Sequence, residues 1–90
     1  MERRSYRIQG HVQGVGFRWW ARGTARRLGL RGHVGNDPDG SVFIEAAGTA
    51  QALDMFEARL REGPPGSRVE QLRREQPGGE EFPAGFDIVR

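Results

Sequence analysis

"RSYRIQGHVQGVGFRWWARGTARRL", residues 4–28, changes its hydrophobic period once along its length. Up to Val12 the period is two. Tyr6, Ile8 and Val12 fall on one side and Arg7, Gln9 and His11 on the other, the pattern of a half-buried β-strand over 4–12. From Phe17 the period is helical: Phe17, Trp20, Ala21, Thr24 and Leu28 share one stripe, and Arg22, Arg26 and Arg27 lie off it. The spacing predicts a helix over 17–28, ended by Gly29. Trp19 and Trp20 are adjacent, so only one can face a core. Trp20 fits the stripe, which leaves Trp19 to line the mouth of the intervening turn or to lie on a sheet edge.

Downstream, Leu30 and Val34 alternate in "LRGHVGN", and Val42, Ile44 and Ala46 alternate against Phe43 and Glu45 in "GSVFIEAAG". The intervening "NDPDG" is dense in turn formers, so the two runs form a hairpin. Thr49 is placed to cap a second helix with Leu53, Phe56 and Leu60 as its buried stripe, and "GPPG" at 63–66 stops it. "RVEQLRREQ" reads as a weakly alternating strand, "GFDIVR" as a short last one, and "PGGEEFPAG" as a surface loop between them. Each helix has one apolar stripe, so both must cover the same face of one antiparallel sheet. The expected fold is α+β: a ferredoxin-like two-layer sandwich, βαββαβ plus a short C-terminal strand.

Composition narrows the function classes. Ninety residues are expected to form one domain. There is no cysteine, so disulfides and thiolate metal sites are excluded, and no apolar run is long enough for a membrane span. A soluble cytoplasmic protein is expected. All 14 basic residues are arginine, which raises the pI to about 10.4 although the net charge is only +2. Without lysine, a P-loop NTPase motif cannot be built. Asp37 and Asp39 have the spacing of calcium-loop ligands, but Gly35 and Ala46 occupy the first and twelfth ligand positions of that pattern, so both are turn residues. His11 and His33 are too few for a metal site. No metal and no cofactor is expected.

The turn "QGVG", 13–16, joins the end of a strand to the start of a helix, where unpaired N–H groups and the positive end of the helix dipole meet. Glycines let successive N–H groups point into one concavity and keep side chains from obstructing an approaching anion. Arg18 follows with a fork able to bridge two oxygens of one phosphate. Gln13, Gly14, Val15, Gly16, Phe17 and Arg18 therefore form a candidate cup for one phosphate. Spacing alone equally allows a tight connection with no ligand, while the dinucleotide fingerprint lacks its third glycine.

"GHVQGVGFR" followed by "LGLRGHVGNDPDGSV" resembles the acylphosphatase family, and the similarity continues through "PPGSRVEQL" to "FDIVR". The resemblance implies a metal-free hydrolysis of carboxyl–phosphate bonds, the same ferredoxin-like fold, and catalytic roles for Arg18 and Asn36. Members often carry Trp or Phe where this chain has His33, and a larger polar residue where it has Gly35, which bears on packing or substrate preference. An acyl phosphate expels a carboxylate, whose conjugate acid has a pKa of about 4, so no general acid is required. Asn36 shares its parity with Leu30 and Val34; it is either a turn residue beside "DPDG" or a group whose amide oxygen orients an attacking water. The expected partners are a small acyl phosphate, with inorganic phosphate as product and inhibitor, and no membrane. Nucleic acid is not expected, and the chain is expected to be a monomer. The alternative is a ferredoxin-like RNA- or anion-binding module without catalysis, although the third strand has one outward aromatic beside a glutamate instead of a stacking platform. An accessory module of a carbamoyl-phosphate-using maturation enzyme is a further reading; the lack of another domain favours an independent enzyme.

Overall fold

A computed structural model describes residues 1–79, 82 and 84–90. The element order is β1 (Glu2–His11), α1 (Phe17–Arg27), β2 (Arg31–Asn36), β3 (Val42–Gly48), α2 (Ala50–Glu62), β4 (Arg68–Glu75) and β5 (Phe86–Ile88). The strands form one sheet in the order β4-β1-β3-β2-β5. The four longer strands pair antiparallel as expected, but β5 joins β2 in parallel, so the sheet is mixed. The reason is topological. β4 and β5 lie at opposite edges, and the connection between them carries Phe82 over the sheet face that the helices leave open. There Phe82 is 8% exposed, packs edge-on against His33, and lies 4.4 Å below the Arg3 guanidinium. Glu80, Glu81 and Pro83 of the expected 77–85 loop lie outside the described residues.

The period-two face of β1 is the buried one: Tyr6, Ile8 and Val12 join Val34, Val42, Ile44, Ala46 and Phe86 under both helices. α1 contributes Phe17, Ala21, Thr24 and Ala25, and α2 contributes Leu53, Phe56 and Leu60. Trp20 and Leu28 are only partly buried, and Ala25 takes a core position that its small side chain had hidden from the stripe. Phe56 meets Tyr6 and Phe86 edge-on, at 6.3 and 5.9 Å between centroids, which locks α2 over the sheet. Each such buried ring contributes about 1.5–3 kcal/mol. Thr49 caps α2 by accepting from the Ala52 N–H, and Arg59 and Arg61 occupy its last turn, where cations suit the dipole. Arg26 on α1 donates through Nε to the Phe86 carbonyl and so ties the helix to β5. Among the described residues, no helix is long and apolar enough to cross a membrane.

Candidate active site

Gly14 and Gly16 have φ of 77° and 78°, so the chain enters α1 through two left-handed residues with Val15 between them. A Cβ at either glycine would meet no atom within 4 Å. Backbone conformation, not crowding by the protein, is therefore what selects glycine here, and the space in front of the turn is open. Val15 packs against the core and Phe17 is buried in it, so their side chains face inward. Among the described residues, the N–H groups from Gly14 to Trp19 make no backbone bond, and Trp20 is the first to find an acceptor, the Gly16 carbonyl at 3.0 Å. No side chain caps the helix, and its first turn holds no acidic residue. The dipole end is thus uncompensated and presents bare donors, the condition for binding an anion.

Arg18 lies in this first turn, half-buried. Arg4, Arg7, Arg26, Arg61, Arg73 and Arg74 all pair with carboxylates, whereas the Arg18 guanidinium has no ion pair or hydrogen bond among the described residues. Its fork is available to a ligand. Trp19 is 63% exposed beside it, with the Arg22 guanidinium 5.2 Å from its ring.

Asn36 ends β2 on the same sheet face as the buried Val34, the face covered by the helices. Its N–H donates to the Arg90 carbonyl at 2.8 Å and its strand neighbour is Val42, so the backbone is held from both sides. Its Oδ1 is buried and finds no hydrogen-bond partner among the described residues. An orphaned acceptor of this kind is costly unless something donates to it, and a water molecule can.

Gln13 joins the two parts. Its Nε2 donates to the carbonyls of Asp37 and Ser41, at 2.8 and 2.9 Å, so the glycine turn is fastened to the hairpin one residue beyond Asn36. The side chain of Gln13 is used for this fastening. The hairpin is tied internally as well: Asp39 Oδ1 accepts from both the N–H and the hydroxyl of Ser41, and those bonds hold the Asp39 carboxyl below its usual value. Asp37 points to the other sheet face and pairs with Arg7, whose guanidinium is raised chiefly by that hydrogen bond.

The contacts of Gln13 and Arg7 with the hairpin depend on which strands become neighbours and so are not visible in residue spacing. The departures at His33 and Gly35 now have a packing account. His33 lies edge-on to Phe43 and Phe82, and a Cβ on Gly35 would come within 2.5 Å of the Phe43 ring. Gly35 thus leaves space for the Phe43 ring on the open face, where His33 packs against Phe43 and Phe82. Clefts of about 410 Å³ (lined by Arg3, Arg31 and Phe82) and 210 Å³ (lined by Leu28, Met55 and Arg59) lie away from the cup. Among the described residues, no group of three His, Asp or Glu side chains could hold a metal ion.

A family profile described as acylphosphatase matches residues 4–88. An acylphosphatase of Nitratidesulfovibrio vulgaris is 52% identical over 90 aligned residues, covering 98% of this chain and 90% of that protein. The crystal structure of acylphosphatase from Bacillus subtilis superposes with a TM-score of 0.93 at 34% identity and full coverage of both chains. T. kodakarensis HypF matches the whole chain over 12% of its own length, with a TM-score of 0.85 and 27% identity.

Proposed function

We propose what each residue does from one premise: this chain belongs to the acylphosphatase family and hydrolyses the carboxyl–phosphate bond of acyl phosphates. The phosphoryl group sits in the cup formed by residues 13–18, where the free N–H groups of the turn and the first helical turn point at its oxygens. Arg18 spans two of those oxygens with its fork. Asn36 accepts a hydrogen bond from a water through Oδ1 and holds it in line with the bond to be broken. An amide is too weak a base to take the proton in the ground state, so its contribution is orientation.

Phosphoryl transfer passes through a loose transition state with charge spread over the equatorial oxygens. Preorganised donors aimed at that charge supply most of the acceleration. The carboxylate then departs as a stable anion, and inorganic phosphate, which fits the same cup, is both product and inhibitor. The RNA-binding alternative is not favoured: the family match speaks for catalysis, and Phe82 covers part of the sheet face that such a module would need.

The observation that carries this reading is the pairing of an unengaged Arg18 on a bare helix end with an orphaned Asn36 Oδ1, joined through Gln13. Turnover and phosphate inhibition measured side by side test it. Arg18→Lys should lose about 100-fold or more in kcat and also bind phosphate weakly, because an ammonium cannot bridge two oxygens. Asn36→Ala should lose turnover to a similar degree and still bind phosphate, since it acts on the transition state. Wild-type phosphate affinity in Arg18→Lys, or parallel losses in Asn36→Ala, would refute the assignment.

A further inference from the structure

The turn that follows Asn36 is held by a residue outside the cup. Arg7 lies on β1, on the sheet face opposite the helices. Its Nη1 donates to Asp37 Oδ2 and to Ser41 Oγ, both at 2.8 Å, and its Nε lies 3.3 Å from Glu75 Oε2 on β4. The Arg7 and Asp37 side chains are 20% and 27% exposed, so the pair is partly shielded from water. Gln13 grips the same two hairpin residues, through their carbonyls, from the side of the cup. Asp37, the residue that follows Asn36, is therefore held from both faces of the sheet, and β1, between β3 and β4, is the anchor.

We propose that Arg7 is a positioning residue for turnover: its bonds to Asp37 and Ser41 fix the turn so that Asn36 Oδ1 stays aimed at the cup. The proposal rests on the assignment of Asn36 as the water-orienting group. Arg7 touches no substrate, so its influence falls on the reacting geometry and not on phosphate affinity. A displacement of about 1 Å at such a position is enough to cost roughly 100-fold in rate.

The experiment measures kcat, KM and phosphate inhibition for Arg7→Met, Arg7→Lys and Asp37→Asn, with Arg7→Met also placed on the Asn36→Ala background. Arg4→Met is the control: Arg4 is paired with Glu2 and Asp54, on the helix-covered side of β1 and away from the hairpin. Arg7→Met should lower kcat about 10-fold or more with phosphate inhibition unchanged. Arg7→Lys should recover part of the loss, because an ammonium reaches Asp37 but cannot also hold Ser41 and Glu75. On the Asn36→Ala background Arg7→Met should lower the residual rate no further. Arg4→Met should lower the melting temperature and leave kcat intact.

Wild-type kcat in Arg7→Met alongside a disabled Asn36→Ala would overturn the proposal and leave the Asn36 assignment standing. So would equal losses of turnover and phosphate affinity, or an undiminished Arg7 effect on the Asn36→Ala background. An Asn36→Ala enzyme with normal turnover would overturn both. Should Arg7→Met fail to fold, Asp37→Asn carries the same comparison, with a smaller loss of kcat and the same unchanged phosphate inhibition.

Discussion

Gly16 separates two reasons for a glycine, backbone conformation and crowding within the protein. A Cβ at Gly16 would touch no protein atom, so within the fold φ of 78° is the requirement. The two causes predict opposite orders of substitution. Gly16→Ala should cost about 1–2 kcal/mol in urea denaturation, the penalty of a left-handed L-residue, and the bulkier Gly16→Asn should cost less because Asn tolerates that region. A larger loss with Asn would restore the crowding explanation. Asp37, the carboxylate nearest Asn36 in the chain, is engaged with Arg7 on the far face, which removes it as a general acid. Alkyl phosphates, whose alkoxide must be protonated, should therefore lack the roughly 10² to 10⁴-fold that acid catalysis supplies, and acyl phosphates should react fast with nitrophenyl phosphate between them. Rates with and without a chelator should agree, since in the proposed site guanidinium and backbone donors carry the positive charge. Comparable rates on acyl and alkyl substrates, or loss of activity on chelation, would count against the site as described.

The two helices differ at their N-termini in a way that separates stability from function. α2 is capped by Thr49, whereas α1 begins at Gly16 with no side-chain cap and no acidic residue in its first turn. Trp19→Glu, at a position 63% exposed, should stabilise α1 by about 0.3–1 kcal/mol through the dipole relative to Trp19→Gln. The same substitution should weaken phosphate inhibition, because the carboxylate would compete for the helix end at which we propose the anion binds. Equal phosphate affinity in the Glu and Gln variants would show that the dipole does not contribute to binding. These elements were legible because their stripes are long and their ends are marked. The strand of residues 4–28, its turn and its helix follow from the change of period, and the α2 stripe of Leu53, Phe56 and Leu60 is buried throughout. β4 alternates weakly because it is an exposed edge, with only Val69 and Leu72 half-buried. The parallel pairing of β5 was not legible, because a three-residue strand takes its direction from where the preceding chain crosses the sheet. Arg18 was singled out by its place beside the glycine turn and Asn36 chiefly by the family resemblance, but the clasp formed by Gln13 and Arg7 required knowledge of strand neighbours.

At the scale of the whole molecule, charged contacts hold the outer strand to the helical layer. Glu57 on α2 accepts from Arg74 on β4 at 2.7 Å and from Arg61 at 3.3 Å. Burial alone would push its carboxyl up, but hydrogen bonds and charges from Arg74 and then Arg61 outweigh it and hold the group below its usual value. A depressed carboxyl stabilises the fold above its unfolded pKa of about 4.3, and the contribution is lost as pH falls through the folded value. Thermal unfolding should therefore show a steeper loss of stability below about pH 4.3 in the wild type than in Glu57→Gln. Identical acid limbs would mean that the contact is screened in solution. The sheet order has a separate consequence, for behaviour at high concentration. A sheet in which β4 and β5 form the edges must keep both from recruiting other chains, and each edge is defended differently. β4 is long but presents Arg68, Glu70, Arg73, Arg74 and Glu75, while β5 is too short to template a partner. Charge on one border and brevity on the other are the devices by which β proteins resist edge-to-edge aggregation, and they leave this sheet with no long uncharged border on which a fibril could grow.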